Sequence, residues 1–165
     1  MQSAGSTDGT DAGRPSPSRI AGLTVLPFAT GLAVAVVAYF VLRDDLPHRM
    51  PTHFGPGGAD GYGPPGQAMA GNLVLYAVET VLFLVKSLTD EEQRSTRPTL
   101  IAAWAVSVAT TYFMWSALKA GADAGDGGDA SVPAYQFVVA LAAGGAVTLG
   151  GWLRSRGRSR SRRKA

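Results

Sequence analysis

Residues 20–42 read IAGLTVLPFATGLAVAVVAYFVL, 23 consecutive positions without a charged side chain. At ~1.5 Å of rise per residue a helix of this length exceeds ~30 Å, the thickness of a bilayer's hydrocarbon core. Three more stretches follow the pattern, at residues 70–88, 100–118 and 133–153, with 19, 19 and 21 residues. Together the four hold 82 of the 165 residues but only two of the 27 charged ones, Glu79 and Lys86. The chain-wide averages, 46% hydrophobic and 16% charged, hide that segregation. A soluble domain spreads its charges over helix faces, whereas segregation this sharp requires a solvent that rejects charge. Helix is favoured over barrel because the runs are continuously apolar, while barrel strands alternate and last only ~10 residues. A helix also satisfies its own backbone N–H and C=O groups in hydrocarbon. Arg14 and Arg19 ahead of the first run resemble the start of a secretory signal. The uncharged run is nevertheless longer than a signal core of ~7–15 residues, and it reads as a retained span. The expected fold is all-α, an integral membrane four-helix bundle.

Orientation follows from the basic residues flanking the spans. An even number of spans puts both termini on one side. That side gathers Arg14, Arg19, Lys86, Arg94, Arg97 and seven residues of the tail 154–165: Arg154, Arg156, Arg158, Arg160, Arg162, Arg163 and Lys164. The other side has Arg43, Arg49 and Lys119, so twelve basic residues face three. Both termini are expected in the cytoplasm of a bacterial cell, with the connections 43–69 and 119–132 outside the plasma membrane. Residues 1–19, rich in Ser, Gly, Asp and Pro without apolar periodicity, read as a disordered cytoplasmic leader. The basic tail can hold anionic lipid headgroups at ~1 kcal/mol per residue. It has no aromatic side chain to stack on bases, which argues against nucleic acid as a partner. In the second outer connection Asp123, Asp126 and Asp129 stand three apart among glycines. They lack the alternating acids and terminal Glu of a calcium loop, and they read as an acidic linker. Zero cysteine removes disulfides and thiolate metal sites.

The connection after the first span is the most specific feature. From Leu46 it reads Leu-Pro-His-Arg-Met-Pro-Thr-His-Phe-Gly-Pro-Gly-Gly-Ala-Asp-Gly-Tyr-Gly-Pro-Pro-Gly and ends at Gly66. Half of the chain's ten prolines lie here. Proline fixes φ and glycine permits φ > 0, so the expectation is an irregular loop of tight turns without regular secondary structure. Met50, Phe54 and Tyr62 give it apolar weight to rest on the membrane interface or on helix ends as a compact cap.

This loop resembles the signature of a bacterial membrane family of unknown function, domain of unknown function 1648. The same domain also occurs in the immunity protein against the sporulation-delaying toxin. The family pattern is similar to Leu-Pro-x-x-[Ile/Val]-Pro-x-His-[Phe/Trp]-[Gly/Asn], then Gly-x-Pro-Asp-x-[Trp/Tyr]-Gly, after a first transmembrane helix. Leu46, Pro47, Pro51, His53, Phe54, Gly55, Gly57, Asp60, Tyr62 and Gly63 match it, and Ala59 stands where the family has proline. The resemblance covers residues 20–88. It implies a multi-pass membrane protein with an immunity-like or signalling role at the outer face, and it implies no reaction.

His53 and His48 are five residues apart, with Asp44, Asp45 and Asp60 nearby. They are weak candidates for a metal, because that spacing shares no helical face and the prolines forbid helix there. A hydrogen bond from His53 to the turn or to Asp60 is the plainer reading, and a pH or ligand contact is a third. No cofactor is expected.

Glu79 is central in the second span. A charge there costs ~2.5–3.5 kcal/mol on insertion scales and should face protein or water. Asn72, Tyr76, Glu79, Phe83 and Lys86 share its helical face. The third span offers Trp104, Ser107, Thr111 and Trp115 at similar steps. The expectation is Glu79 hydrogen-bonded to Ser107, Thr110 or Thr111, with Tyr76 beside it and Lys86 snorkelling to the interface. Desolvation favours the neutral acid, which can join two helices; alternatively Glu79 carries protons or an ion. The fourth span holds the small pairs Ala140–Gly144 and Ala146–Gly150, open to an intramolecular neighbour or to a second copy.

The chain shows no nucleophile–base pair, phosphate cradle or paired carboxylates, so a non-enzymatic role is expected: sensing or binding at the outer face. The alternative is a small ion- or proton-coupled transporter, or transporter accessory, using Glu79. Expected partners are lipids, an extracytoplasmic peptide or small ligand, and a cytoplasmic regulator.

Overall fold

The computed structural model describes residues 16–55, 58–89, 97–125, 132–133 and 135–161. The chain runs α1 (Pro17–Leu42), β1 (Met50–Gly55), β2 (Gly58–Gly63), α2 (Pro65–Thr89), α3 (Arg97–Ala124) and α4 (Tyr135–Ser161). Four helices are long and apolar enough to cross a membrane, as the patterning predicts for a multi-pass membrane protein.

The helices overrun the apolar stretches, and at the start of α1 capping chemistry rather than hydropathy sets the end. Ser16 caps α1 by accepting from Arg19 N, with Pro17 in the first turn, where its missing N–H costs nothing. The last residues of the expected leader are therefore helical. Pro65 likewise opens α2 inside the expected outer loop. At the other end of α3, Gly125 takes φ 58, the left-handed conformation that glycine supplies after a helix. Beyond the fourth apolar stretch, α4 continues to Ser161 through the start of the basic tail.

Contacts along the helices fix their directions. Thr24 donates to Ser87 Oγ at 3.1 Å, and Phe28 meets Phe83 with ring centroids 5.3 Å apart, so α1 and α2 are antiparallel. Ser107 on α3 donates to the Pro27 carbonyl, and Leu118 clusters with Ala38, so α1 and α3 run parallel. Tyr112 reaches Gln136, Phe113 stacks on Phe137 at 4.6 Å, and Gly144 lies against Ala105; α4 is antiparallel to α3. The start of α1 and the end of α4 thus lie at one end of the set, and β1 and β2 at the other. Neighbours run α2–α1–α3–α4, with only a thin strip of contact between α2 and α3. Among the described elements α4 packs substantially on α3 alone, so the four-helix set is open on that flank.

The connection between α1 and α2 departs from expectation. It is not irregular: β1 and β2 form an antiparallel hairpin pairing Met50 with Gly63, Pro51 with Tyr62, His53 with Gly61, Phe54 with Ala59 and Gly55 with Gly58. Thr52 on β1 and Asp60 on β2 have no paired counterpart, which makes two bulges. The prolines do not prevent this, because each strand of a two-stranded sheet has a free edge and proline is tolerated at edges and bulges.

Candidate functional site

The hairpin is seated by one side chain. Met50 is 2% exposed and clusters with Ala38 of α1, Leu46 of the connection and Leu118 of α3. Its Cε lies 2.8 Å from where a Cβ on Gly121 would stand, so that glycine is what admits it. Leu46, Pro47, Pro51 and Gly63 of the motif are also buried. Met50 and Leu46 hold the cap to the helix ends, whereas Tyr62, expected to rest there with Met50, is exposed.

His53, Asp60 and Tyr62 of the motif face out. His53 Nδ1 pairs with Asp60 Oδ1 across the hairpin, the two side chains 72% and 55% exposed. The bulge at Asp60 brings it beside His53. Gly61, opposite His53, has no room for a side chain, since a Cβ there would sit 2.9 Å from His53 Cβ. Tyr62 is exposed. Phe54 and Gly55 contribute backbone to β1, and Gly57 lies outside the described residues. Of the weak metal candidates, His53 engages Asp60 and His48 is exposed beyond α1. No group of three His, Asp or Glu gathers among the described residues. Asp123 accepts from Lys119 at 2.8 Å on α3, while Asp126 and Asp129 lie outside the described residues.

A second cluster sits midway along the helices. Thr110 donates to Glu79 Oε1 at 2.7 Å. Tyr76, 2% exposed, joins Thr111 Oγ1 at 2.7 Å, and Thr111 donates to the Ser107 carbonyl. Ser107 donates to the Pro27 carbonyl at 2.6 Å. Glu79, Tyr76, Ser107 and Thr111 are thus brought together as predicted. Trp104 and Trp115 are not, and both keep exposed faces. Lys86 is exposed at the end of α2, and Val74, Val78, Val81, Leu82 and Val85 cover its outer face.

Sequence reasoning missed the third wall of this cluster. A Cβ on Gly31 would lie 2.5 Å from Thr111 Oγ1, 2.6 Å from Ser107 Oγ and 3.0 Å from Tyr76 Cε1. Gly31 is the gap in α1 that lets Tyr76 pass from α2 to α3. The signal was the Pro27–Gly31 pair, one turn apart in an otherwise bulky span. Gln136, which accepts from Tyr112 at 2.7 Å and Ser116 at 3.4 Å, was also missed; a lone amide in an apolar run marks such a bond. On α4, Ala140 and Gly144 are buried, and Gly144 and Gly151 abut Ala105 and Ile101 of α3. Around Gly150 there is open space.

No protein-family model matches the chain, and neither a curated protein nor a solved structure does.

Proposed function

We propose that this is a bacterial plasma-membrane protein of the domain-of-unknown-function-1648 type that binds a peptide or small ligand at its extracytoplasmic face, in an immunity-like or signalling role. The observation that carries the reading is the division of labour within one short hairpin. Met50 clamps it among α1 and α3, while the paired His53 and Asp60 stand in solvent with Tyr62 close by in the same strands. An exposed ion pair contributes only ~0–1 kcal/mol to stability, so two bulges and a bare glycine arranged around it serve contact better than folding. Imidazole, carboxylate and phenol on one small surface can read a peptide's amides and charges by hydrogen bonding. The twelve-to-three excess of basic residues sets the orientation, with both termini cytoplasmic and the hairpin outside.

The test is survival. Cells expressing the chain are challenged with a panel of bacterial membrane-active peptides. Protection by the wild type, lost in His53→Ala and Asp60→Ala but kept in Glu79→Gln, is the expected pattern. The inverse, with Glu79→Gln silent and both hairpin variants fully protective, would move the function into the membrane and favour the transporter reading.

A further inference from the structure

The hydroxyl cluster around Glu79 is short of protons. Thr111 uses its one hydroxyl proton on the Ser107 carbonyl, so in the Tyr76–Thr111 bond Tyr76 is the donor. Ser107 is committed to the Pro27 carbonyl, Thr110 to Glu79 Oε1 and Thr80 to the Tyr76 carbonyl. Every donor in the cluster is therefore engaged, and what is left over is acceptor capacity. Tyr76 Oη keeps unused lone pairs. Glu79 Oε2 is buried with no hydrogen-bond partner among the described residues.

Nor does a cation answer the carboxylate. Lys86 is exposed seven residues further along α2, and no ion pair among the described residues includes Glu79. On α1 the titratable side chains are Arg19 and Tyr39, towards its ends. On α3, Tyr112 is turned to Gln136 of α4, and Arg97, Lys119 and Asp123 lie towards the helix ends. Tyr76, one turn earlier on the same face of α2, is the titratable group beside Glu79. A half-buried carboxylate with one oxygen out of solvent and unpaired, and no counter-charge beside it, is a costly form of such a group. Adding one proton to that oxygen removes the charge.

We infer that Glu79 is a proton-binding site at membrane depth: Oε2 takes up and releases a single proton, and the neutral acid is the form that α1, α2 and α3 close around. The site uses no residue of the hairpin, so it stands or falls independently of ligand binding there. Release of the proton leaves a charge that Thr110 alone must stabilise, which loosens the join between α2 and α3.

The full chain reconstituted in phosphatidylcholine vesicles can be treated with dicyclohexylcarbodiimide. This apolar reagent adds to protonated carboxyls in membranes and rearranges to a stable acylurea. One adduct is expected, on the α2 peptide, forming more slowly as pH is raised and absent from Glu79→Gln. Infrared difference spectra between acid and alkaline vesicles provide a reading that does not depend on reagent access. A carboxylic C=O band that survives at about pH 6, where exposed Asp and Glu side chains are ionised, should be lost on further alkalinisation in the wild type and missing in Glu79→Gln, with the variant matching wild type in helicity and gel-filtration profile. No such band in the wild type at any pH overturns the proposal. Labelling that ignores pH does too. Strong suppression of the adduct by sodium relative to choline at equal ionic strength would assign the site to a metal cation instead.

Discussion

At the scale of single residues, Gly31 is crowded from two sides of α1. Three side chains from two other helices converge within 3.0 Å of where its Cβ would be, so one methyl group must displace hydroxyls that are themselves hydrogen-bonded. Gly31→Ala is expected to destabilise by ~1–3 kcal/mol, the usual range for overpacking, as measured by thermal unfolding in mild detergent. Gly71→Ala, in open space on α2, should be neutral or slightly stabilising in the same assay. Tyr76→Phe removes one interhelical donor and should cost ~0.6–1.7 kcal/mol. A larger loss would mean that the Tyr76–Thr111–Ser107 chain acts as a unit.

At the scale of elements, the hairpin and α4 each have one face that packs and one that does not. Met50→Ala leaves a cavity where β1 meets α1 and α3, worth ~2–5 kcal/mol for a buried methionine. Hydrogen exchange should show faster amides across residues 50–63 with the helix centres unchanged. His53→Ala should leave that protection pattern intact, because its pair is exposed. On α4, Gly144→Leu drives a side chain into the Ala105 carbonyl, 2.7 Å from the Cβ position, and should separate α4 from α3. Gly150→Leu meets open space, so it should leave the monomer's stability unchanged. A fall in oligomer size for Gly150→Leu alone, by light scattering, would show a second copy using that face.

At the scale of the whole molecule, the absence of cysteine from the sequence lets single thiols report topology without background. Thr52→Cys in the hairpin should react with a membrane-impermeant maleimide on intact cells, and Ala165→Cys should react only after lysis. The opposite result inverts the orientation. Much of this level was legible beforehand. Stretches of 19 to 23 residues with almost no charge admit one solvent, so four crossing helices followed from counting. That Glu79 meets a hydroxyl of α3 was legible too, since polar groups in hydrocarbon have few neighbours that can answer them, but the choice of Thr110 among three hydroxyls and the Tyr76–Thr111 bond were not.

The sequence by itself determined which stretches are apolar enough for lipid and that Glu79 must find a polar partner, because both follow from the cost of wrong solvation and need no knowledge of neighbours. The tertiary structure alone decided the rest. Gly31 matters only because α2 and α3 pass on either side of α1, which no pattern within α1 encodes. The proline-rich connection is a hairpin because strand pairing depends on partners further along the chain, such as Met50 with Gly63 and Pro51 with Tyr62, which the φ preferences of single prolines and glycines do not encode. The same holds for the two small-residue pairs of α4. They look alike in sequence, yet one lies against α3 and the other faces outward, because packing selects a single face of a helix that composition leaves uniform.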